Sequence, residues 1–139
     1  MGIIGPDARD AVPALTSALS DENACVRHEA AVALGRIGPD ARDAVPAITS
    51  LLSDKDVSAR GIAARTLGKI GPDARDAVSA LISLLSDENT CVRGNAVFAL
   101  GCIGSDARDA VPAITSLLSD ENTFVRCFAK SALEKIEKQ

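Results

Sequence analysis

Gly5-Pro6-Asp7-Ala8-Arg9-Asp10-Ala11-Val12 is the stretch that decides the fold, because it returns. The same run begins again at Gly38 and Gly71, and at Gly104 with Ser105 in place of the proline, so that each copy starts 33 residues after the last. Self-similarity at a fixed period of this size marks a repeat array. It divides the chain into units 5–37, 38–70, 71–103 and 104–136, followed by a tail at 137–139. Gly2-Ile3-Ile4 before Gly5 matches Gly35-Arg36-Ile37 before Gly38, so residues 1–4 read as the remnant of a preceding unit. The whole of 1–139 is expected to form a single repeat domain.

Each unit reads as two helices. The first is expected over residues 7–20, with Val12, Leu15 and Leu19 recurring at helical steps. Pro13, Pro46 and Pro112 share one place in it, which Ser79 takes in the third unit. That proline belongs either to the first turn of a short helix or to a kink in a longer one. A turn at Ser20-Asp21-Glu22-Asn23 follows, and Asn23, Asp56, Asn89 and Asn122 are suited to cap the second helix. That helix runs to Ile37, with Val26, Ala30, Ala33, Leu34 and Ile37 on one side. Gly38-Pro39 ends it, since glycine tolerates a left-handed C-cap and proline cannot continue a helix. One hairpin cannot bury its own apolar faces, but stacked hairpins can. The expected fold is therefore all-α, a solenoid of about eight helices.

Composition agrees. The chain has 139 residues, 47% apolar and 24% charged, which is the balance of a globular protein. It has no Trp, no Tyr and three Phe, and its alanine-rich apolar share suits closely approaching helices. A net charge of −4 argues against a basic nucleic-acid-coating domain. No apolar run is long enough for a membrane span and no leader opens the chain, so the expectation is a cytoplasmic protein with neither nucleic acid nor membrane as partner.

Val26-Arg27, Ala30-Ala31 and Ala33-Leu34-Gly35-Arg36-Ile37-Gly38 together resemble the VR-x-x-A-A-x-A-L-G-x-I-G signature of HEAT-like repeats. The likeness is to the short bacterial class named after phycobilisome lyases, the PBS lyase HEAT-like repeats. Ankyrin repeats share the period, but their Thr-Pro-Leu-His-x-Ala signature is missing. The resemblance implies a right-handed superhelix whose second helices line a concave face. It implies less about function, because such repeats serve as scaffolds, lyases and even a DNA glycosylase.

Comparing the units with one another separates frame from surface. The Asp-Ala-Arg-Asp run is present in all four, as are Leu19, Leu52, Leu85 and Leu118, the turn aspartates Asp21, Asp54, Asp87 and Asp120, and Arg27, Arg60, Arg93 and Arg126. A residue repeated in every unit points to structure, and the aspartates and arginines are expected to form a ladder tying turns to neighbouring helices. In the second helix Cys25, Glu29, Val32 and Arg36 give way to Ser58, Ile62, Arg65 and Lys69, then to Asn95, Phe98 and Cys102 after Cys91, then to Phe124, Phe128, Ser131 and Lys135. Steps of four, three and four residues keep these on one stripe of the helix, away from the core side.

Drift on a wet surface yields Lys, Glu, Ser and Gln. Here Ile62, Phe98, Phe124 and Phe128 stand on the stripe, and these include all three phenylalanines. Exposed aromatics on adjacent units mark a contact patch. The expected partner-binding residues are Glu29, Val32, Arg36, Ile62, Arg65, Lys69, Asn95, Phe98, Cys102, Phe124 and Phe128. Arg36, Arg65, Lys69 and Lys135 against Glu29 give the stripe a charge of +3, which suits an acidic protein or peptide. Cations are also favourable in a last helical turn for the sake of the helix dipole alone. In the last unit Lys130 replaces Ala31, Ala64 and Val97, and Glu134 replaces Gly35, Gly68 and Gly101, the mark of a capping repeat. The opposite end shows no such cap, so weak end-to-end self-association is an alternative to a monomer.

No catalytic constellation accompanies this frame. Cys25, Cys91, Cys102 and Cys127 are too far apart in a stacked array for a disulfide, and no Cys-x-x-Cys is present. His28 is the single histidine, and no nucleophile elbow, phosphate-binding glycine loop or metal-binding histidine pair appears. No metal and no cofactor are expected. The reading is a non-enzymatic protein-binding scaffold. A self-assembling structural module is its rival, and a bilin lyase or related enzyme component is a more distant one.

Overall fold

A computed structural model describes residues 6–137. The remnant at 1–4 and the last two residues of the tail lie outside them. Eight α-helices follow one another in the described residues: α1 (Val12–Ala18), α2 (Ala24–Ile37), α3 (Val45–Leu51), α4 (Val57–Ile70), α5 (Val78–Leu84), α6 (Thr90–Ile103), α7 (Val111–Ser116) and α8 (Thr123–Glu137). A 3-10 segment precedes each odd-numbered helix, from Pro6–Ala11 to Gly104–Ala110.

The first helix of each unit is shorter than expected. Residues 7–11 coil as 3-10 turns, and α1 starts only at Val12, with Pro13 inside its first turn. That position is where a missing N–H leaves no helical bond unmade. α5 starts at the equivalent Val78 with Ser79 instead, so the proline favours the break without being needed for it. The second helices match their expected extent. Asn23 Oδ1 accepts from Cys25 N at 2.8 Å, Asp56 Oδ1 from Ser58 N at 3.2 Å, Asn89 Oδ1 from Val92 N at 3.1 Å and Asn122 Oδ1 from Phe124 N at 2.8 Å. Gly38, Gly71 and Gly104 end α2, α4 and α6 at φ of 75°, 83° and 81°. Their ψ values near −140° place them outside the left-handed helical region expected of the cap, in a region only glycine enters freely.

The even-numbered helices pack directly side by side, α2 on α4, α4 on α6 and α6 on α8. The odd-numbered helices meet their neighbours through the intervening 3-10 segments instead. The even layer is thus the more directly packed one. Between the layers lies a continuous core of Leu34, Ile48, Leu67, Ile70, Leu81, Leu100, Ile103, Ile114 and Ile136, each at most 2% exposed. Each such side chain stabilises the fold by about 1.5–3 kcal/mol through its removal from water.

The unit boundaries are tied by the expected ladder. Arg27, Arg60 and Arg93 reach Asp54, Asp87 and Asp120 of the following unit, with Nε–Oδ2 distances of 3.1, 3.1 and 3.0 Å. Each arginine also donates from Nη1 to the carbonyl of its own turn's aspartate, Asp21, Asp54 or Asp87. Each of those three partner aspartates accepts from the N–H two residues on. The Asp-Ala-Arg-Asp run divides in two. Its alanines Ala8, Ala41, Ala74 and Ala107 are buried, whereas Arg9, Arg42, Arg75 and Arg108 are exposed. Packing accounts for the alanines, and the exposed Arg9–Asp40 contact at 3.9 Å adds little.

Candidate partner-binding ridge

The stripe positions of α2, α4, α6 and α8 line up across the even layer. Glu29, Arg36, Arg65, Lys69, Phe124 and Phe128 are exposed; Val32, Ile62, Asn95, Phe98 and Cys102 are half-buried. Phe124 is 73% exposed and Phe128 40%, the two largest apolar side chains open to water among the described residues.

The half-buried members take part in packing that the sequence did not disclose. Glycines of one unit are floors for stripe residues of the next. A Cβ built on Gly68 would meet one edge of the Phe98 ring at 2.7 and 2.9 Å, so the ring sits where only glycine leaves room. Lys69 runs its stem over Gly35 in the same way, and Phe128 lies against Gly94. Asn95 donates from Nδ2 to the carbonyl of Gly61 at 3.1 Å and so ties two units together. Thr66, 1% exposed, makes a similar tie by donating to the Ala31 carbonyl at 2.9 Å. Its place holds Ala33, Ala99 and Ala132 in the other units. That lone hydroxyl among alanines was the available signal.

Arg36, Arg65 and Lys69 carry no hydrogen bond or ion pair among the described residues, in contrast to the ladder arginines. Lys69 lies in the last turn of α4, where the helix dipole favours it, but Arg65 stands a full turn earlier. Burial pushes the Cys102 thiol above its ordinary value, with Lys135 nearby pulling the other way. Cys25, Cys91 and Cys127 are exposed free thiols. Among the described residues no group of His, Cys, Asp or Glu is placed to hold a metal ion. No described helix is long and apolar enough to cross a membrane.

Both ends of the stack differ from its middle. Lys130 and Glu134 are exposed where Ala31, Ala64, Val97 and Gly35 are buried. At the other end Val26 is 38% exposed, whereas Ala59, Val92 and Val125 at the same place are at most 1%. The expectation of Val26 as a core residue therefore fails in its own unit, because no described unit covers it. Leu15, Ala18, Val26, His28, Glu29, Ala30, Val32, Ala33 and Arg36 line an open hollow of about 650 Å³ there.

This geometry, stacked hairpins with arginine–aspartate ties and a ridge of second helices, defines an α-solenoid of helical repeats. The chain belongs to the HEAT repeats family, whose model matches residues 12–90 and 78–139. Among solved structures it is similar to the complex of CpcE and CpcF of phycocyanin lyase from Nostoc sp. PCC7120, with 31% identity and a TM-score of 0.81 over 94% of this chain and 54% of that one. It is also similar to an engineered protein, at 28% identity and TM-score 0.80 over 93% of this chain and 63% of that one. A designed armadillo repeat protein in complex with peptide (KR)4 shares the fold at 23% identity, with a TM-score of 0.80 over 91% of this chain and 64% of that one. The chain thus spans less than two thirds of each of these three. No curated protein matches it.

Proposed function

We propose that this chain is a non-enzymatic scaffold that binds a protein partner along the ridge of α2, α4, α6 and α8. The observation that carries the reading is the pairing of exposed Phe124 and Phe128 with the unpaired cations Arg36, Arg65 and Lys69 on one face. Apolar anchors supply affinity when desolvated, and charge complementarity guides encounter with an acidic surface. The likeness to a two-chain lyase complex and to a repeat protein holding a peptide is in keeping with partner binding. Affinity capture tests it, with a chain carrying Phe98→Ala and Arg65→Glu as control. Capture lost in the variant at unchanged helical circular dichroism supports the reading; equal capture by both rejects it.

The open hollow at the first unit favours a second reading, self-association through that face. Light scattering over a dilution series separates the two, since a mass independent of concentration removes the second. A lyase role would show as a bound chromophore in the purified protein.

A further inference from the structure

The ridge is not uniform: its cations and its aromatics stand on different units. Arg36, Arg65 and Lys69 stand together on α2 and α4, toward the C-terminal ends of those helices. Phe98, Phe128 and Phe124 stand together on α6 and α8, progressively nearer the N-terminal ends. No charged side chain occupies the α6 stripe, where Cys91, Asn95, Phe98 and Cys102 follow one another. The two charges outside this division lie at its corners. Glu29 is on the first unit, and Lys135 lies about 10 Å along α8 from Phe128 at ~1.5 Å per residue.

From this division we infer that the ridge takes one extended peptide segment with two parts, an acidic cluster and an aromatic or large apolar cluster, lying diagonally across the even helices. The inference rests on the ridge being the binding surface. Arg65 argues for a ligand carboxylate, because neither the helix dipole nor a partner among the described residues accounts for its charge. Phe128 and Phe98 argue for an apolar part, because each is propped on a glycine of the preceding unit, with Phe128 exposed and Phe98 half-buried. A preset aromatic loses little rotamer freedom on binding. The cluster centres are two units apart, roughly 20 Å at 8–10 Å per packed helix, while their nearest members, Arg65 and Phe98, hold equivalent places on the adjacent helices α4 and α6. An extended chain covers the distance between centres in about six residues at ~3.3 Å each.

Peptides carrying a fluorescein label, read by anisotropy against the full chain, test this. One carries four aspartates, one carries a Phe-Leu-Phe cluster, and a series joins the two through spacers of one to twelve Gly/Ser residues. The joined peptides should bind at least tenfold tighter than either part, with the gain greatest near a six-residue spacer. The variant Arg65→Glu with Lys69→Glu should reduce the joined peptide to the affinity of the aromatic part. Phe124→Ser with Phe128→Ser should reduce it to that of the acidic part. If single parts bind and are lost in these variants, but joining brings no spacer-dependent gain, the two-part inference fails while the ridge stands. If no peptide binds, or binding ignores every ridge variant, both fail.

Discussion

Arg60 on α4 grips two units at once: its Nε lies 3.1 Å from Asp87 Oδ2 in the next turn, while its Nη1 donates to the Asp54 carbonyl of its own. One guanidinium thus closes a turn and fixes the register of the following hairpin. Its planar fork suits this double task in a way an ammonium does not. Arg60→Ala leaves a mostly buried carboxylate with one partner fewer, and is expected to lower stability by about 2–3 kcal/mol. Arg60→Lys should recover only part of that loss. Urea unfolding checks both, and a lysine variant equal to the parent would contradict the double role.

Gly68→Ala probes the floor beneath Phe98. The added methyl would meet not only the ring but the Cα of Ala99 at 3.1 Å, which cannot rotate away. The expected loss is about 1–3 kcal/mol. Combining it with Phe98→Ala should relieve only the ring contact, and thermal unfolding of the single and double variants reads the difference.

Much of this frame was legible beforehand, and the reasons are local. Asn23 and Gly38 act within a few residues of their own helix ends, and the Arg27–Asp54 tie repeats with the period. The short α1 was not legible, because Pro13 suits a first turn and a kink equally well. The seating of Phe98 on Gly68, Asn95 on Gly61 and Thr66 on Ala31 was hidden for another reason. Those contacts depend on the lateral register between units, which a repeat period leaves undetermined. Val26 was misjudged because burial at its place comes from the unit before it, not from its own helix.

Asp120 should give the fold an acid-sensitive tie. The Asn122 N–H and the Arg93 guanidinium hold its carboxyl below the ordinary 3.8, against the opposing effect of burial. A carboxylate depressed in the folded state stabilises fully above its unfolded value and loses that contribution as pH falls through the folded one. The stability gap between the parent and Asp120→Asn should therefore be widest near neutrality. It should close as pH drops below about 4. Denaturant midpoints from pH 7 to 2.5 check this, and a gap constant with pH would contradict it.

Cys102 should be the slow thiol. Its burial disfavours the thiolate that reacts, while Cys25, Cys91 and Cys127 are open. Timed alkylation with iodoacetamide at pH 8, followed by peptide mass spectrometry, should label those three first. Early labelling of Cys102 would show a looser α6–α8 boundary than described.

The most direct measurement of the binding claim is backbone amide chemical-shift mapping of the full chain during titration with the joined acidic–aromatic peptide. Perturbations gathered on α4, α6 and α8 around Arg65, Phe98 and Phe128 are the expected result. Shifts confined to the 3-10 segments, around Arg42 and Arg75, would contradict the account.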